Sequence, residues 1–528
     1  MKLAVLSGAS LLALAAAAPA LADPDEARIE ALEARVEQLE ETNRRLLEFL
    51  EAQGLTPVGE TAAAPAHGPM HHPHQAREAH GEPHVMAQAE PHGDLVARTG
   101  EPAGHGAHHA EHRAQMQADF VGVSPDYGFA MLDHAEGVNR RQLTVLEAQQ
   151  AGALPNRVTL SGSVIALADY QESNSNTKFG WLMRHPTSAN QIGETVSEAV
   201  IHNAQLAFTA QMSDAITAYA EILYDPQQSF GSGTITDINR NQLQLRKAWV
   251  MWGDLDQSPF YAAIGKMDTP FGLNDTVSPF TNSTNWHAFA GLAYGALGGY
   301  ANNGLHVRAM AIQGGAQFRA HNAPVEDTSV PSRLNNFAVD ANYTADLGGG
   351  NSVMAGASYT HATAYCQAYP VFHFNPCDNN NPGWAVYGWA DLGPFDLLAE
   401  YASTSDVWPG TASPAPQFTQ FEAVKAESFT LGGRYWMNVR SDEDFALSAE
   451  FSRFISGDDG APWERQDQWV LGAAFYPAAS VEVFAEYIHT LGWVPLNFIS
   501  GGNQPLGASW SESDAETDVI AVGVQAAF

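Results

Sequence analysis

Across residues 157–528 apolar and polar side chains alternate with period two in short segments, which is the pattern of strands lying between two different environments. Phe429, Leu431, Gly433, Tyr435 and Met437 fall on one side, and Ser428, Thr430, Gly432, Arg434 and Trp436 on the other. Phe445, Leu447, Ala449 and Phe451 oppose Ser448, Glu450 and Ser452; Val481, Val483, Ala485 and Tyr487 oppose Glu482, Phe484 and Glu486. The first such segment sets Val158, Leu160, Gly162, Val164 and Ala166 against Thr159, Ser161 and Ser163. The last places Ile520, Val522, Val524, Ala526 and Phe528 on its apolar side.

The connections decide what the apolar side faces. Tight ones at 346–352, 391–395, 438–444 and 476–480 alternate with long polar ones at 172–198, 225–241, 269–290, 314–335, 361–382, 403–427, 456–467 and 490–516. All the long connections therefore lie at one end. Outer-membrane barrels have that asymmetry, with short turns in the periplasm and long loops outside. The expected fold is all-β: a transmembrane antiparallel β-barrel of about sixteen strands, closed by a last strand that ends on an outward Phe.

Ahead of the barrel the periodicity changes three times. Residues 1–22 read as a secretory signal peptide, with an apolar run and an Ala20-Leu21-Ala22 cleavage site. Residues 23–53 read as an α-helical periplasmic coiled coil, with Ile29, Val36, Asn43 and Leu50 at a and Leu32, Leu39 and Leu46 at d. Arg28 with Glu33, and Arg35 with Glu40, have the spacing of interchain pairs. The polar Asn43 at an a position leans towards two strands. Residues 54–118 form a histidine-rich linker too poor in apolar residues to fold. Its groups His71, His72 and His74, and His108, His109 and His112, offer neutral imidazoles for weak, exchangeable Zn, Cu or Ni binding; no cofactor is required. In the connecting segment 119–156, residues 138–150 predict a short helix ended by Gly152 and Pro155. The sequence leaves it two places, in the barrel mouth or joining the stalk to the barrel.

Composition sharpens this reading. A hydrophobic share of 45% over 528 residues is what half-polar strands give, and beyond the signal no apolar run suffices for a helical span. A net charge of −34 argues against nucleic acid and against a simple phosphate channel. The two cysteines, Cys366 and Cys377, share one long connection and are expected to pair in an oxidising compartment. A wide barrel leaves a water-filled lumen, so the inward charges Glu221, Arg246, Arg308, Glu400, Arg434, Glu450, Glu482 and Glu486 become expected pore-lining residues. The excess of Glu predicts a mild preference for cations or neutral polar solutes. No serine, histidine and acid constellation suggests an enzyme.

The connection after the fifth strand opens with Gly265-Lys266-Met267-Asp268-Thr269-Pro270-Phe271-Gly272 and continues through Asp275, Trp286 and His287. By count it is the third long loop and the candidate constriction, with Lys266, Asp268, Asp275, Trp286 and His287 as its site residues. The GKMDTPFG stretch resembles the G-K/R-x-x-x-P-F-G segment of large specific porins, including the phosphate-selective superfamily and the siderophore porins of the legiobactin-uptake type. As architecture the resemblance covers nearly the whole mature chain; as sequence it covers only this motif. It implies a homotrimeric bacterial porin of sixteen strands, set among outer-membrane lipid and lipopolysaccharide, with its N-terminal region in the periplasm. It implies diffusion of small polar solutes or chelates, a siderophore or metal complex among them, without energy coupling. No plug domain of the size that coupled receptors carry precedes the barrel. The loop is not rich in arginine and lysine as in phosphate channels, since Asp268 and Asp275 lie there with only Lys266. A second expectation is metal handling, with the histidine tract concentrating Zn or Cu beside the channel.

Overall fold

The computed structural model describes residues 120–175, 179–184, 193–224, 243–313, 333–366, 380–408, 421–440, 443–461, 463–492 and 513–528. The signal, the coiled coil and the linker histidines His71, His72, His74, His108, His109 and His112 lie outside the described residues, as does Cys377. Cys366 is disulfide-bonded.

A short strand β1 (Val121–Val123) is followed by helices α1 (Pro125–Leu132) and α2 (Arg141–Gln150). Sixteen strands come next: β2 (Val158–Ser173), β3 (Thr195–Gln211), β4 (Ile216–Tyr224), β5 (Leu243–Gly253), β6 (Phe260–Asp268), β7 (Leu292–Asn302), β8 (Leu305–Gln313) and β9 (Leu334–Gly348) form the first half. The second half is β10 (Asn351–Thr360), β11 (Gly383–Leu392), β12 (Phe395–Thr404), β13 (Glu427–Arg440), β14 (Glu443–Ile455), β15 (Arg465–Ala478), β16 (Val481–Leu491) and β17 (Glu516–Ala527). A one-and-a-half-turn helix, α3 (Thr284–Phe289), lies between β6 and β7.

Each strand from β2 onwards pairs antiparallel with the next, and β17 returns to β2 from Thr517↔Ser173 to Ala527↔Ser163, closing a sixteen-stranded barrel. Closure leaves no sheet edge open. Short-turn chemistry follows the sequence where it can be checked: Asn303 and Gly304, between β7 and β8, both take positive φ (49° and 79°), the two-residue hairpin turn that Asn-Gly favours. Apolar side chains from strand after strand stand exposed on the outside, among them Leu206, Val250, Ile264, Val339, Leu397, Leu431, Leu471 and Val522. An apolar surface of that extent is a membrane-facing surface rather than a solvated one.

The inside departs from the expected water-filled lumen. Two pieces of chain occupy it, residues 120–157 and the third long loop. The first enters at the short-turn end, where β1 pairs in parallel with the start of β2 (Val121↔Val158). It rises as α1, turns at 133–140, and descends as α2, whose Gln149 Nε2 donates to Thr217 Oγ1 near the rim (2.7 Å). The helix expected over 138–150 is thus α2, and it lies inside the barrel. Tyr127, Met131, Leu132, Val145 and Leu146 pack on inward side chains of β4–β9, including Trp249, Met251, Tyr261, Leu297 and Met310. At about 1.5–3 kcal/mol per fully buried large apolar side chain, this is a substantial docking energy before ordering costs. Gly128 is required where α1 crosses the chain terminus, since a Cβ there would stand 2.2 Å from the Phe528 carbonyl oxygen.

Candidate functional site: a constriction held from two walls

The third long loop crosses the lumen from β6 to the opposite wall, and every residue from 271 to 289 is buried. An irregular loop in such a place carries backbone amides with no ladder to join, so each needs a partner. Three glutamates on alternate strands supply them. Glu400 of β12 accepts from the amides of Leu273 (2.8 Å) and Asn274 (3.0 Å). Glu450 of β14 accepts from Thr276 Oγ1 (2.7 Å) and the Val277 amide (3.0 Å). Glu486 of β16 accepts from the amides of Phe280 (2.8 Å) and Thr281 (3.0 Å) and from Thr281 Oγ1 (2.5 Å). Arg434 of β13 donates through Nε to the Val277 carbonyl (3.0 Å), and Gln468 of β15 to that of Asn282 (2.9 Å). Ser283 caps α3 by accepting from the Trp286 amide (3.3 Å).

The turn 133–140 meets this loop from the short-turn side. Asp275 accepts from the Val138 amide (3.1 Å) and from Arg140 Nη2 (2.9 Å), and the Thr276 amide donates to the Ala135 carbonyl (2.9 Å). His134 Nε2 donates to the Phe280 carbonyl (2.8 Å), while Asn282 Nδ2 donates to the His134 carbonyl (3.0 Å). Asn139 Nδ2 donates to the Gly272 carbonyl, and the Asn139 carbonyl accepts from Arg308 Nη1 of β8 (2.5 Å). Arg434 also pairs with Glu136. It therefore ties wall, loop and N-terminal segment together. Enclosure lowers His134 to about 4, so it is neutral in place. Loss of water, then the nearby Glu136 charge, pushes Asp133 up to about 7. Burial raises Asp275 against the opposing pull of Arg140.

The expected pore-lining set accordingly needs correction. All eight face inward, but Glu400, Glu450 and Glu486 are enclosed and accept from the loop's amides and hydroxyls instead of lining open water. Glu482 is buried on β16 beside Asp133 and Arg434. Arg308 is buried against Asp340 of β9 (2.6 Å). Glu221 is buried, accepting from Tyr219 Oη (3.0 Å) with Arg246 Nη1 at 3.5 Å; Arg246 keeps 22% of its side chain exposed. The constriction set also divides. Asp275, Trp286 and His287 lie in the enclosed loop. Asp268 ends β6 and pairs with Lys247 (2.7 Å). Lys266 belongs to β6 and not to the loop: its ammonium reaches the Leu245 carbonyl (3.4 Å) and lies 5.8 Å from the Tyr294 ring.

Two features escaped the strand pattern. Lys247 is buried beside Arg246 because the β4–β5 register shifts between Glu221 and Ile222, a bulge that turns consecutive residues inward. Adjacent cations on one strand are the signal, since strict alternation would set one of them on the lipid face at a cost of about 2–4 kcal/mol at the midplane. The other is the depth to which the N-terminal segment fills the barrel.

No family model matches the chain, and no curated protein matches it. Among solved structures it is similar to the outer membrane channel DcaP of Acinetobacter baumannii, with 15% identity, 70% of this chain and 97% of that chain covered, and a TM-score of 0.43. It is similar also to an anion-selective porin from Comamonas acidovorans (13% identity, 70% and 99% covered, TM-score 0.42) and to OprB of Pseudomonas putida (11%, 70% and 94%, TM-score 0.40).

Proposed function

We propose that this protein is a bacterial outer-membrane channel through which small polar solutes diffuse without energy coupling. The observation that carries the reading is the closed barrel with an apolar exterior, crossed inside by a loop that leaves β6 and is anchored on the wall from β12 to β16. On this reading the loop narrows an aqueous path through the barrel. Because three inward glutamates are spent on loop amides, the reading here is weak charge selectivity rather than a cation channel. The N-terminal region on this reading is periplasmic and the assembly a homotrimer, with a siderophore or metal chelate as a candidate cargo.

The test is single-channel conductance of the purified protein in planar bilayers, with reversal potential under a salt gradient. Discrete steps grouped in threes, with a reversal potential near zero, support it. Absence of conductance from folded, heat-modifiable protein overturns it.

A further inference from the structure

At the long-loop end of β16 and β17 a histidine and two carboxylates meet on the outer side of the barrel, away from the lumen. His489 is the cross-strand partner of Asp518, and Leu491 that of Glu516, which brings the three polar side chains to one spot. One ligating atom from each of His489, Glu516 and Asp518 lies within 4.8 Å of the others. His489 Nε2 stands 3.9 Å from Glu516 Oε1. On the opposite side of the ring, His489 Nδ1 is 2.8 Å from Asp518 Oδ1, which also accepts from Tyr487 Oη at 2.6 Å.

We propose that this cluster is a binding site for a divalent transition-metal ion of the Zn2+ class. His489 Nε2 and Glu516 are the direct ligands, and Asp518, held by Tyr487, is the group that orients the imidazole. Three considerations converge. A carboxylate that accepts from Nδ1 leaves the Nε2 lone pair free for a metal, and such a carboxylate is the usual outer partner of a metal-bound histidine. Tetrahedral zinc with bonds of about 2.0–2.1 Å sets its ligand atoms about 3.3 Å apart, so a separation of 3.9 Å closes by a small side-chain adjustment. Two carboxylates placed near one another on the outward face of a barrel repel, and a cation held at Glu516 offsets that cost. Imidazole with carboxylate selects zinc-like ions over calcium or magnesium, which prefer all-oxygen sites. Glu516 and Asp518 keep about half of their side chains exposed, so exchange is rapid and the ion is not locked into the fold.

The histidine-rich tract would dominate any bulk titration, so the test must be resolved at His489. Diethyl pyrocarbonate modification of His489 in the full-length, detergent-solubilised protein is followed by peptide mass spectrometry with and without ZnCl2. Occupancy slows modification by the factor 1 + [Zn]/Kd, about elevenfold at ten times Kd. We expect saturable zinc protection of His489 in the wild type. Protection is expected to disappear in Glu516→Gln, and the apparent Kd to rise roughly 10–100-fold in Asp518→Asn, as loss of an orienting partner does. Both substitutions are isosteric and lie on the outer face, and heat-modifiable migration confirms folding. An unchanged modification rate of wild-type His489 across the zinc titration overturns the proposal, as does equal protection in Glu516→Gln.

Discussion

The two walls of the lumen hold what fills it by different physics. The wall from β4 to β9 presents Trp249, Met251, Tyr261, Leu297 and Met310 and grips helices α1 and α2 by apolar burial. The wall from β12 to β16 presents Glu400, Glu450 and Glu486 and grips the third loop through its amides. The difference follows from what is held. A helix satisfies its own backbone and offers an apolar stripe; an irregular loop offers unpartnered amides. Arg434, bonded to both occupants, joins the two systems.

Removing the polar wall should have the largest effect. Replacing Glu450 and Glu486 together by Ala leaves the buried donors of Thr276, Val277, Phe280 and Thr281 unmet, at about 1–3 kcal/mol each. Loop release is expected, seen as raised conductance and a lower temperature for the heat-modifiable shift in gel migration. Arg434→Met should cost about 3–5 kcal/mol, by leaving enclosed acids without their cation, and should loosen loop and N-terminal segment together in hydrogen exchange. Leu146→Ala should cost about 2–5 kcal/mol and speed exchange across 125–150 while sparing 271–289. Equal loosening of both regions in Leu146→Ala would break the distinction between the walls.

The smallest expected effect is that of pH. His134 is held neutral down to about 4 when docked, whereas its ordinary value is 6.5, so the released segment binds the proton first. Docking is then full above about 6.5 and weakens as pH falls towards 4. Asp133, raised to about 7, acts in the opposite sense: its contribution is present at low pH and is lost as pH rises towards 7. His134→Asn should remove the acid-side loss and leave the trend of the raised carboxyls Asp133 and Asp275, read as channel open probability between pH 4 and 7.5.

The barrel was legible because two-residue periodicity and loop length are written locally. Its strand faces follow the alternation from Thr159 and Ser161 inward to Val522 and Val524 outward. The constriction was legible in part, since Pro270 and Gly272 end a strand at the third long loop, but nothing local states that Glu400 and Glu486, far along the chain, would meet that loop's amides. The helix over 138–150 was legible, but the sequence leaves it at the barrel mouth or between stalk and barrel, and an inward set read as facing water gives no reason for it to fill the lumen. The signal lay in strands apolar on both faces, such as the run Ala248-Trp249-Val250-Met251-Trp252, for which a hydrated lumen has no use. A bulge such as that at Arg246 and Lys247 defeats alternation by construction.

The central claim, that the N-terminal segment and the third loop together define the solute path, is tested most directly by single-channel conductance of full-length Leu146→Ala beside the wild type in the same bilayer. A larger, flickering conductance in the variant is the predicted result. An identical conductance, in a variant whose segment 125–150 exchanges rapidly, would contradict it and leave the loop alone as the constriction.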